Sequence, residues 1–231
     1  MQKRIFYTEG AYTVGMVLLA LGTALTAHGG FGMSMVVAPA YVLHLKLSQT
    51  YDWFSFGMAE YLLQILILVL MMLLLRRIRP VYLLSIVSAV VYGFLLDGAM
   101  ALAGLLPPLN VWGRLGLYSL GILICTAALS LLFNSYLPPA AYEMLVKQLS
   151  RRFGWKLTWV KTAYDLCSLA LGAVLSVLSL GSIRGIGIGT VVCALIYGFL
   201  ISLFSGVFAR LWQFQDRWAL RSMFEESEEC V

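Results

Sequence analysis

The chain has 231 residues, of which 61% are hydrophobic and only 12% are charged, and its mean hydropathy is +0.88. A soluble domain carries about a quarter charged residues, so this composition excludes a soluble globular protein and predicts a polytopic membrane protein. The net charge of +5 does not indicate nucleic-acid binding, because the basic residues cluster at the ends of apolar runs, where they set membrane orientation.

Six apolar runs are long enough to cross a bilayer, which takes about 20 residues for each helix. In chain order, we predict spanning helices at residues 11–28, 54–75, 81–106, 113–134, 158–182 and 187–209. The first run lacks a small-residue cleavage site followed by polar sequence, so we expect a retained helix and not a signal peptide. The predicted fold class is therefore all-α, with six transmembrane helices.

Two further apolar stretches, Met33–Leu45 and Leu137–Leu149, are too short to cross alone and are expected to be re-entrant or interfacial. The first follows a glycine-rich turn and the second contains a pair of prolines near its start, and both residue types permit sharp changes of backbone direction. We interpret these turns as hinges of gating segments. Their residues are Gly29, Gly32, Pro138 and Pro139.

Lysine and arginine are distributed unevenly between the two sides of the predicted membrane domain. With the N-terminus inside, the outer side receives only Lys46, Arg114 and Arg184, and the inner side receives the other thirteen. Because cytoplasmic loops carry the excess of positive charge, we predict that both termini are cytoplasmic. The expected location is a cytoplasmic (inner) membrane.

The two halves of the chain share a spacing of 105 residues. It separates Glu60 from Asp165, and it separates the tetrapeptide Tyr92–Leu95 from its identical copy Tyr197–Leu200. Each half contains three crossings, an odd number, so the second half starts on the opposite side of the membrane. These features predict two inverted three-helix repeats.

The repeat divides the chain into three parts. Residues 1–106 form the first predicted membrane repeat and residues 107–209 form the second. Residues 210–231 form a predicted acidic cytoplasmic tail. Six short-looped helices enclose little space on their own, so we also expect a homodimer.

Glu60 and Asp165 lie inside predicted spans, where a carboxylate is costly unless it is paired, hydrated or protonated. One interpretation is a proton-coupling or substrate-binding pair, with Lys161 adjusting the charge of Asp165. The alternative is local neutralisation, which Lys161 offers from four residues before Asp165. Asp97 either shares the outer half of a cavity with Glu60 and binds solute, or reaches water from a helix end.

Other polar and glycine residues leave two interpretations open. Tyr92 and Tyr197 lie mid-membrane and either line a cavity or bond a neighbouring carbonyl, since a buried hydroxyl needs a partner. The GIGIGT stretch either permits close helix packing or offers free backbone groups to an anionic substrate. Its candidate residues are Gly187, Gly189 and Thr190.

The sequence carries no zinc motif, no cysteine–histidine cluster and no combination of nucleophile and base. We therefore expect neither an enzyme nor a metal or other cofactor. The expected partners are a small-molecule solute and the lipid bilayer, without nucleic acid.

The stretch Val160–Ile201 resembles the YczE/YitT-like bacterial integral membrane proteins. The resemblance rests on Val-Lys-Thr-Ala-Tyr-Asp and on GIGIGTVVCALIYGFLI, with weaker similarity at Leu21–Ser34 and at Phe56–Gly57. It implies a small integral membrane protein with a basic-residue–x-x-x-acid helix, a glycine-rich turn and a final helix. Because that family's function is poorly defined, the resemblance informs the fold more than the function.

These observations lead to two functional hypotheses. The first is a small secondary transporter, with export as one candidate direction, that moves a small polar or amphipathic solute and is coupled to protons. The second is a non-transporting membrane regulator or assembly partner that acts through helix faces and the acidic tail. A polar cavity near Glu60 and Asp165 would favour the first, and ion-paired acids without a cavity would favour the second.

Overall fold

A computed structural model describes residues 4–75, 80–135, 140–182 and 185–215. Within these ranges the chain forms long helices, two short helices and one pair of short strands. The helices are α1 (Thr8–Gly29), α2 (Ala38–Leu47), α3 (Phe56–Leu75), α4 (Pro80–Gly104), α5 (Val111–Phe133), α6 (Ala141–Phe153), α7 (Leu157–Leu180) and α8 (Ile188–Leu211), and the strands are β1 (Arg4–Tyr7) and β2 (Trp212–Gln215).

Six of the helices, α1, α3, α4, α5, α7 and α8, are long and apolar enough to cross a membrane. Their ends differ from the predicted spans by at most three residues. The predicted all-helical multi-pass fold is confirmed. One addition is the parallel pairing of β1 with β2, in which Arg4 lies opposite Trp212. Local periodicity could not predict this pair, because each strand has four residues and the partners are at opposite ends of the chain.

The strand pair places the two ends of the helical domain side by side, as expected after an even number of crossings. Strand β2 also occupies the beginning of the segment predicted as an acidic tail. The remainder of that segment, residues 216–231, lies outside the described residues.

Helix α1 packs along α5 at the centre of the domain, and glycines bring the two backbones close together. Gly15 faces Leu132, Gly22 faces Cys125, and Gly29 faces Tyr118. In these contacts the residue numbers of α5 decrease as those of α1 increase, so the two helices are antiparallel. Small residues at the contact allow this close approach, as is common between membrane helices.

The short helix α2 begins inside the helical bundle. Its first turn lies against the middle of α7, where a Cβ at Gly172 would be 3.4 Å from the Pro39 nitrogen. Gly172 precedes the end of α7 by eight residues, or about 12 Å of helix. The other end of α2 lies beside the start of α3, where the His44 and Phe56 rings are 5.9 Å apart. This course is typical of a re-entrant segment.

Helix α6 also begins inside the bundle. The Ala141 backbone N–H donates to Gln64 Oε1 at 3.4 Å. Gln64 lies eight residues after the start of α3, or about 12 Å from the N-terminal end of that helix. Both short helices thus begin inside the bundle and run towards its surface, α2 towards the start of α3 and α6 towards the end of α3.

The two halves pack in similar ways, with one difference. Helix α4 packs on α1 as α8 packs on α5, and α2 packs on α7 as α6 packs on α3. Helix α3 also packs along α4, through the close contact of Gly57 with Gly93. Within the described residues, α7 and α8 do not pack along each other in the corresponding way.

Candidate functional site

Glu60 lies on α3 and is completely buried, with a relative exposure of 0%. Tyr142 Oη donates a hydrogen bond to Glu60 Oε1 at 2.9 Å, and Gln64 Nε2 donates to the same oxygen at 3.2 Å. The second oxygen, Oε2, has no hydrogen-bond partner among the described residues. The carboxyl group therefore keeps one unused acceptor in an apolar interior.

Two helices hold this group in place. Gln64 follows Glu60 by four residues and so lies on the same face of α3. Tyr142 comes from the first turn of α6, whose Ala141 N–H also binds the Gln64 side chain. The N-terminal end of a helix carries a partial positive charge, which favours a nearby carboxylate. No ion pair to Glu60 is present in the part of the chain that the structure describes.

A cavity of about 580 Å³ lies between α1, α4, α5, α6, α7 and α8, and α3 reaches it through Gln64. Its walls are mainly apolar, and most of its polar side chains are hydroxyl groups or amides. Gln64 and Tyr142, which bind Glu60, both line it. A single layer of side chains therefore separates the buried carboxyl group from the cavity.

Three charged residues form one wall of the cavity. Lys161 Nζ lies 3.1 Å from Glu143 Oε1 and 3.9 Å from Asp165 Oδ1. The spacing of Lys161 and Asp165 correctly predicted their proximity. However, the closer partner of Lys161 is Glu143, and Asp165 Oδ1 accepts no hydrogen bond from the described residues. Sequence reasoning missed Glu143 because it lies in the short helix α6, outside the predicted spans.

Tyr92 and Tyr197 also line the cavity, on α4 and α8. Tyr92 Oη lies 3.2 Å from Thr23 Oγ1 in the buried interior. Tyr197 forms a side-chain hydrogen bond with Cys125. Of the two interpretations left open, the structure supports the cavity, and the contacts found for these hydroxyl groups among the described residues are with the side chains of Thr23 and Cys125.

The sequence left two interpretations of Asp97 open, and neither included the hydrogen bonds that the structure shows for this side chain. Its Oδ1 accepts a hydrogen bond from the Gly57 backbone N–H at 2.7 Å, and its Oδ2 accepts one from Ser55 Oγ at 2.6 Å. It is not among the residues that line the cavity. Asp97 therefore caps the start of α3 from the neighbouring helix α4, because the first N–H groups of a helix have no partner within that helix. Glu60 and Asp97 are both absent from the lining of this cavity, so this cavity does not join them.

The GIGIGT segment packs against the turn that follows α1. The Gly189 N–H donates to the Phe31 carbonyl at 3.0 Å, and Gly187 N–H donates to Thr190 Oγ1 at 3.2 Å. Gly32 has φ 119°, and a Cβ there would lie 2.6 Å from Thr190 Oγ1. These contacts agree with the packing interpretation.

The remaining predicted hinge residues divide into two groups. Gly29 packs on Tyr118, where a Cβ would lie 2.9 Å from the tyrosine Cβ. Gly29, Gly32, Gly187, Gly189 and Thr190 are all absent from the cavity lining. The predicted hinges Pro138 and Pro139 lie outside the described residues.

Within the described ranges, no group of three or more His, Cys, Asp or Glu side chains could hold a metal ion.

Comparison with known proteins places the chain in a family without an assigned activity. Residues 6–206 match the family described as "Family of unknown function (DUF6198)". No curated protein and no solved structure matches the chain.

Proposed function

This chain belongs to that family of unknown function, and we propose that it is a small secondary transporter that moves a small polar or amphipathic solute with proton coupling. The observation that carries the proposal is Glu60, a fully buried carboxyl group beside a cavity, with one oxygen unpartnered among the described residues. An ionisable side chain inside a spanning helix is costly, and it is typical of proton and substrate pathways.

The position of the cavity supports transport. It lies at the depth where α2 and α6 begin, and residues 35–37 before α2 and Ala140 before α6 line it. Secondary transporters with repeated halves bind solute near the middle of the membrane, beside helices that start there.

Contacts between α1 and α5 support an inverted repeat. Gly15 faces Ala128 and Leu132, while Gly121 faces Gly22 and Thr26. Adding 106, one residue more than the spacing of 105, to residue numbers 15, 22 and 26 gives 121, 128 and 132. Each contact from α1 to α5 therefore has an equivalent contact from α5 to α1. Two antiparallel helices related by an in-plane two-fold axis are expected to contact each other in this way.

The difference between the halves supports alternating access. In the first half, Gly57 packs on Gly93 and binds Asp97. The equivalent positions at a spacing of 105 are Thr162, Gly198 and Ser202, and both Thr162 and Gly198 line the cavity. This contrast supports the proposal, because one closed and one open repeat is the arrangement expected for one of two end states of a carrier with inverted repeats.

Location, orientation and assembly belong to the same proposal. The distribution of lysine and arginine favours termini in the cytoplasm of a bacterial inner membrane. We also retain the homodimer and the relationship to YczE/YitT-like proteins as predictions. No enzymatic activity is expected.

The regulator hypothesis receives less support. It relied on contacts through helix faces and on the acidic tail, and it predicted ion-paired acids without a cavity. Residues 216–231 of that tail lie outside the described residues. A cavity is present, and Glu60 has no ion pair within the described ranges. The absence of that ion pair and the presence of a cavity favour a transporter. The mainly apolar walls of the cavity and the distance of 3.9 Å between Lys161 and Asp165 agree instead with the alternative of locally neutralised acids.

Reconstitution tests the proposal directly. Proteoliposomes containing a pH-sensitive dye are exposed to gradients of amines, amino acids, sugars and organic acids, and internal pH is followed. We expect at least one class to drive proton movement in the wild type and in the loop variant Asp52→Asn, but not in Glu60→Gln. Absence of solute-driven proton movement for every class, or wild-type movement in Glu60→Gln, would contradict proton-coupled transport.

A further inference from the structure

We infer, resting on the proposed transporter, that the cavity binds an organic monovalent cation: a protonated amine attached to an apolar body. The cavity volume of about 580 Å³ lies within the range of small-molecule sites, roughly 300–1,000 Å³. Three features of its lining, namely charge, apolar surface and an unused hydrogen-bond acceptor, point to this class of solute.

The charges favour a cation. The charged residues lining the cavity in the described part of the chain are Glu143, Asp165 and Lys161, two acids and one base. Glu60 lies one layer of side chains away and adds no positive charge. An anion would therefore enter a low-dielectric space with an excess of carboxylates, where repulsion is strong. A cation would balance that excess.

The apolar and aromatic surface favours a solute with a hydrocarbon body. Met16, Leu19, Leu132 and Ile201 contribute aliphatic groups to the walls. Aromatic rings also line the cavity, and rings attract ammonium groups through their π electrons. They belong to Tyr12, Tyr92, Phe133, Tyr142 and Tyr197. A small, fully hydrated metal ion would leave this surface uncovered.

Asp165 offers a binding point for the ammonium group. Its Oδ1 atom is buried, accepts no hydrogen bond from the described residues and lies 3.9 Å from Lys161 Nζ. Lys161 Nζ is closer to Glu143 Oε1, at 3.1 Å, so its ammonium group only partly neutralises the carboxylate of Asp165. A donor N–H⁺ from the solute would complete the coordination with a charge-assisted hydrogen bond, which is stronger than a neutral one.

The gap between α7 and α8 provides a route for such a solute. Residues from both helices line the cavity, and these helices do not pack along each other. An amine with an apolar body partitions into the bilayer surface, so it could enter between the helices as well as from water.

Binding is tested with three probes that share one phenyl body: 2-phenylethylammonium, 2-phenylethanol and 3-phenylpropionate. Isothermal titration calorimetry on the full chain in detergent compares wild type, Asp165→Asn, Lys161→Met and the loop control Asp52→Asn. We expect selective binding of the ammonium probe. Its affinity should fall by at least about thirtyfold in Asp165→Asn, rise severalfold in Lys161→Met, and stay unchanged in Asp52→Asn.

Four results would overturn the inference: no binding of the ammonium probe at millimolar concentration, equal binding of the three probes, preference for the carboxylate, or unchanged affinity in both cavity variants. Flux in proteoliposomes separates this inference from the transporter proposal. Selective ammonium binding without flux would contradict transport and leave the ligand class standing. Flux of another solute class without ammonium binding would contradict only the ligand class.

Discussion

Tyr142 donates a hydrogen bond of 2.9 Å to Glu60, and this contact links the first turn of the short helix α6 to the spanning helix α3. The bond satisfies one carboxyl oxygen inside the bundle and fixes where α6 begins. Glu60, which carries the proposed proton coupling, is therefore held by α6, a helix too short to cross the membrane. A solute in the cavity would contact Tyr142 before it could reach Glu60.

We predict that Glu60 and Tyr142 are energetically coupled. Tyr142→Phe should lower the free energy of unfolding by about 1–2 kcal/mol, because Glu60 Oε1 loses a donor in a buried site. A double-mutant cycle with Glu60→Gln, measured by denaturation in mixed micelles, should give a coupling energy above about 0.5 kcal/mol. Tyr51→Phe, at an exposed loop tyrosine, serves as control. Strictly additive effects of the two substitutions would argue against the coupling.

The close contact of α1 and α5 predicts a strong effect of a single methyl group. In Gly22→Ala, the new Cβ would lie 2.6 Å from Cys125 Sγ and 2.9 Å from the Gly121 carbonyl oxygen. The helices must separate, so we expect a loss of about 1–3 kcal/mol, measured as a lower melting temperature in detergent.

Gly10→Ala is the matched control for this substitution. Gly10 lies on the same helix, and a Cβ there would meet no atom within 4 Å. Alanine should therefore stabilise the protein slightly, by up to about 1 kcal/mol, because it favours the helix more than glycine does. Equal melting temperatures for the two variants would contradict the packing described here.

Substituting Asp97 tests whether this acid stabilises the fold or binds the solute. Because Asp97 binds Ser55 Oγ and the Gly57 N–H, Asp97→Asn should lower stability by about 1–3 kcal/mol through the loss of charge-assisted bonds. It should leave the affinity for a cavity ligand unchanged, whereas Asp165→Asn should lower that affinity. Denaturation and calorimetry on the same samples check both parts. A loss of affinity without a loss of stability in Asp97→Asn would instead assign it to the solute site.

The sequence predicted the spanning helices well, because a run of about 20 apolar residues is a local property of the chain. It also singled out Glu60 and Asp165, since acids are conspicuous inside such runs. It could not assign Asp97, whose partners on α3 depend on how two helices cross. Nor could it find Tyr142 and Glu143, because α6 has too few residues to stand out as a span.

The opening between α7 and α8 could not be predicted either. Lipid-facing and cavity-facing residues are equally apolar, so Leu195, which is 77% exposed, and Ala194, which lines the cavity, look alike in the sequence. Repetition at the spacing of 105 does identify the positions that would meet if this opening closed. They are Thr162 and Gly198, the equivalents of the contacting pair Gly57 and Gly93.

We predict that Thr162 and Gly198 approach each other when the second repeat closes. A Thr162→Cys/Gly198→Cys pair, in a background without the native cysteines, should be joined in proteoliposomes by a short bis-maleimide, which alkylates one cysteine thiol at each end. Cross-linking should arrest solute-driven proton movement, because a carrier must return to its open state to complete a cycle. The matched control pair is Thr162→Cys/Leu178→Cys, since Leu178 is 79% exposed on α7 and lies about 24 Å along the helix from residue 162. Cross-linking of the test pair that leaves the movement intact, or equal cross-linking of both pairs, would contradict closure of α7 against α8.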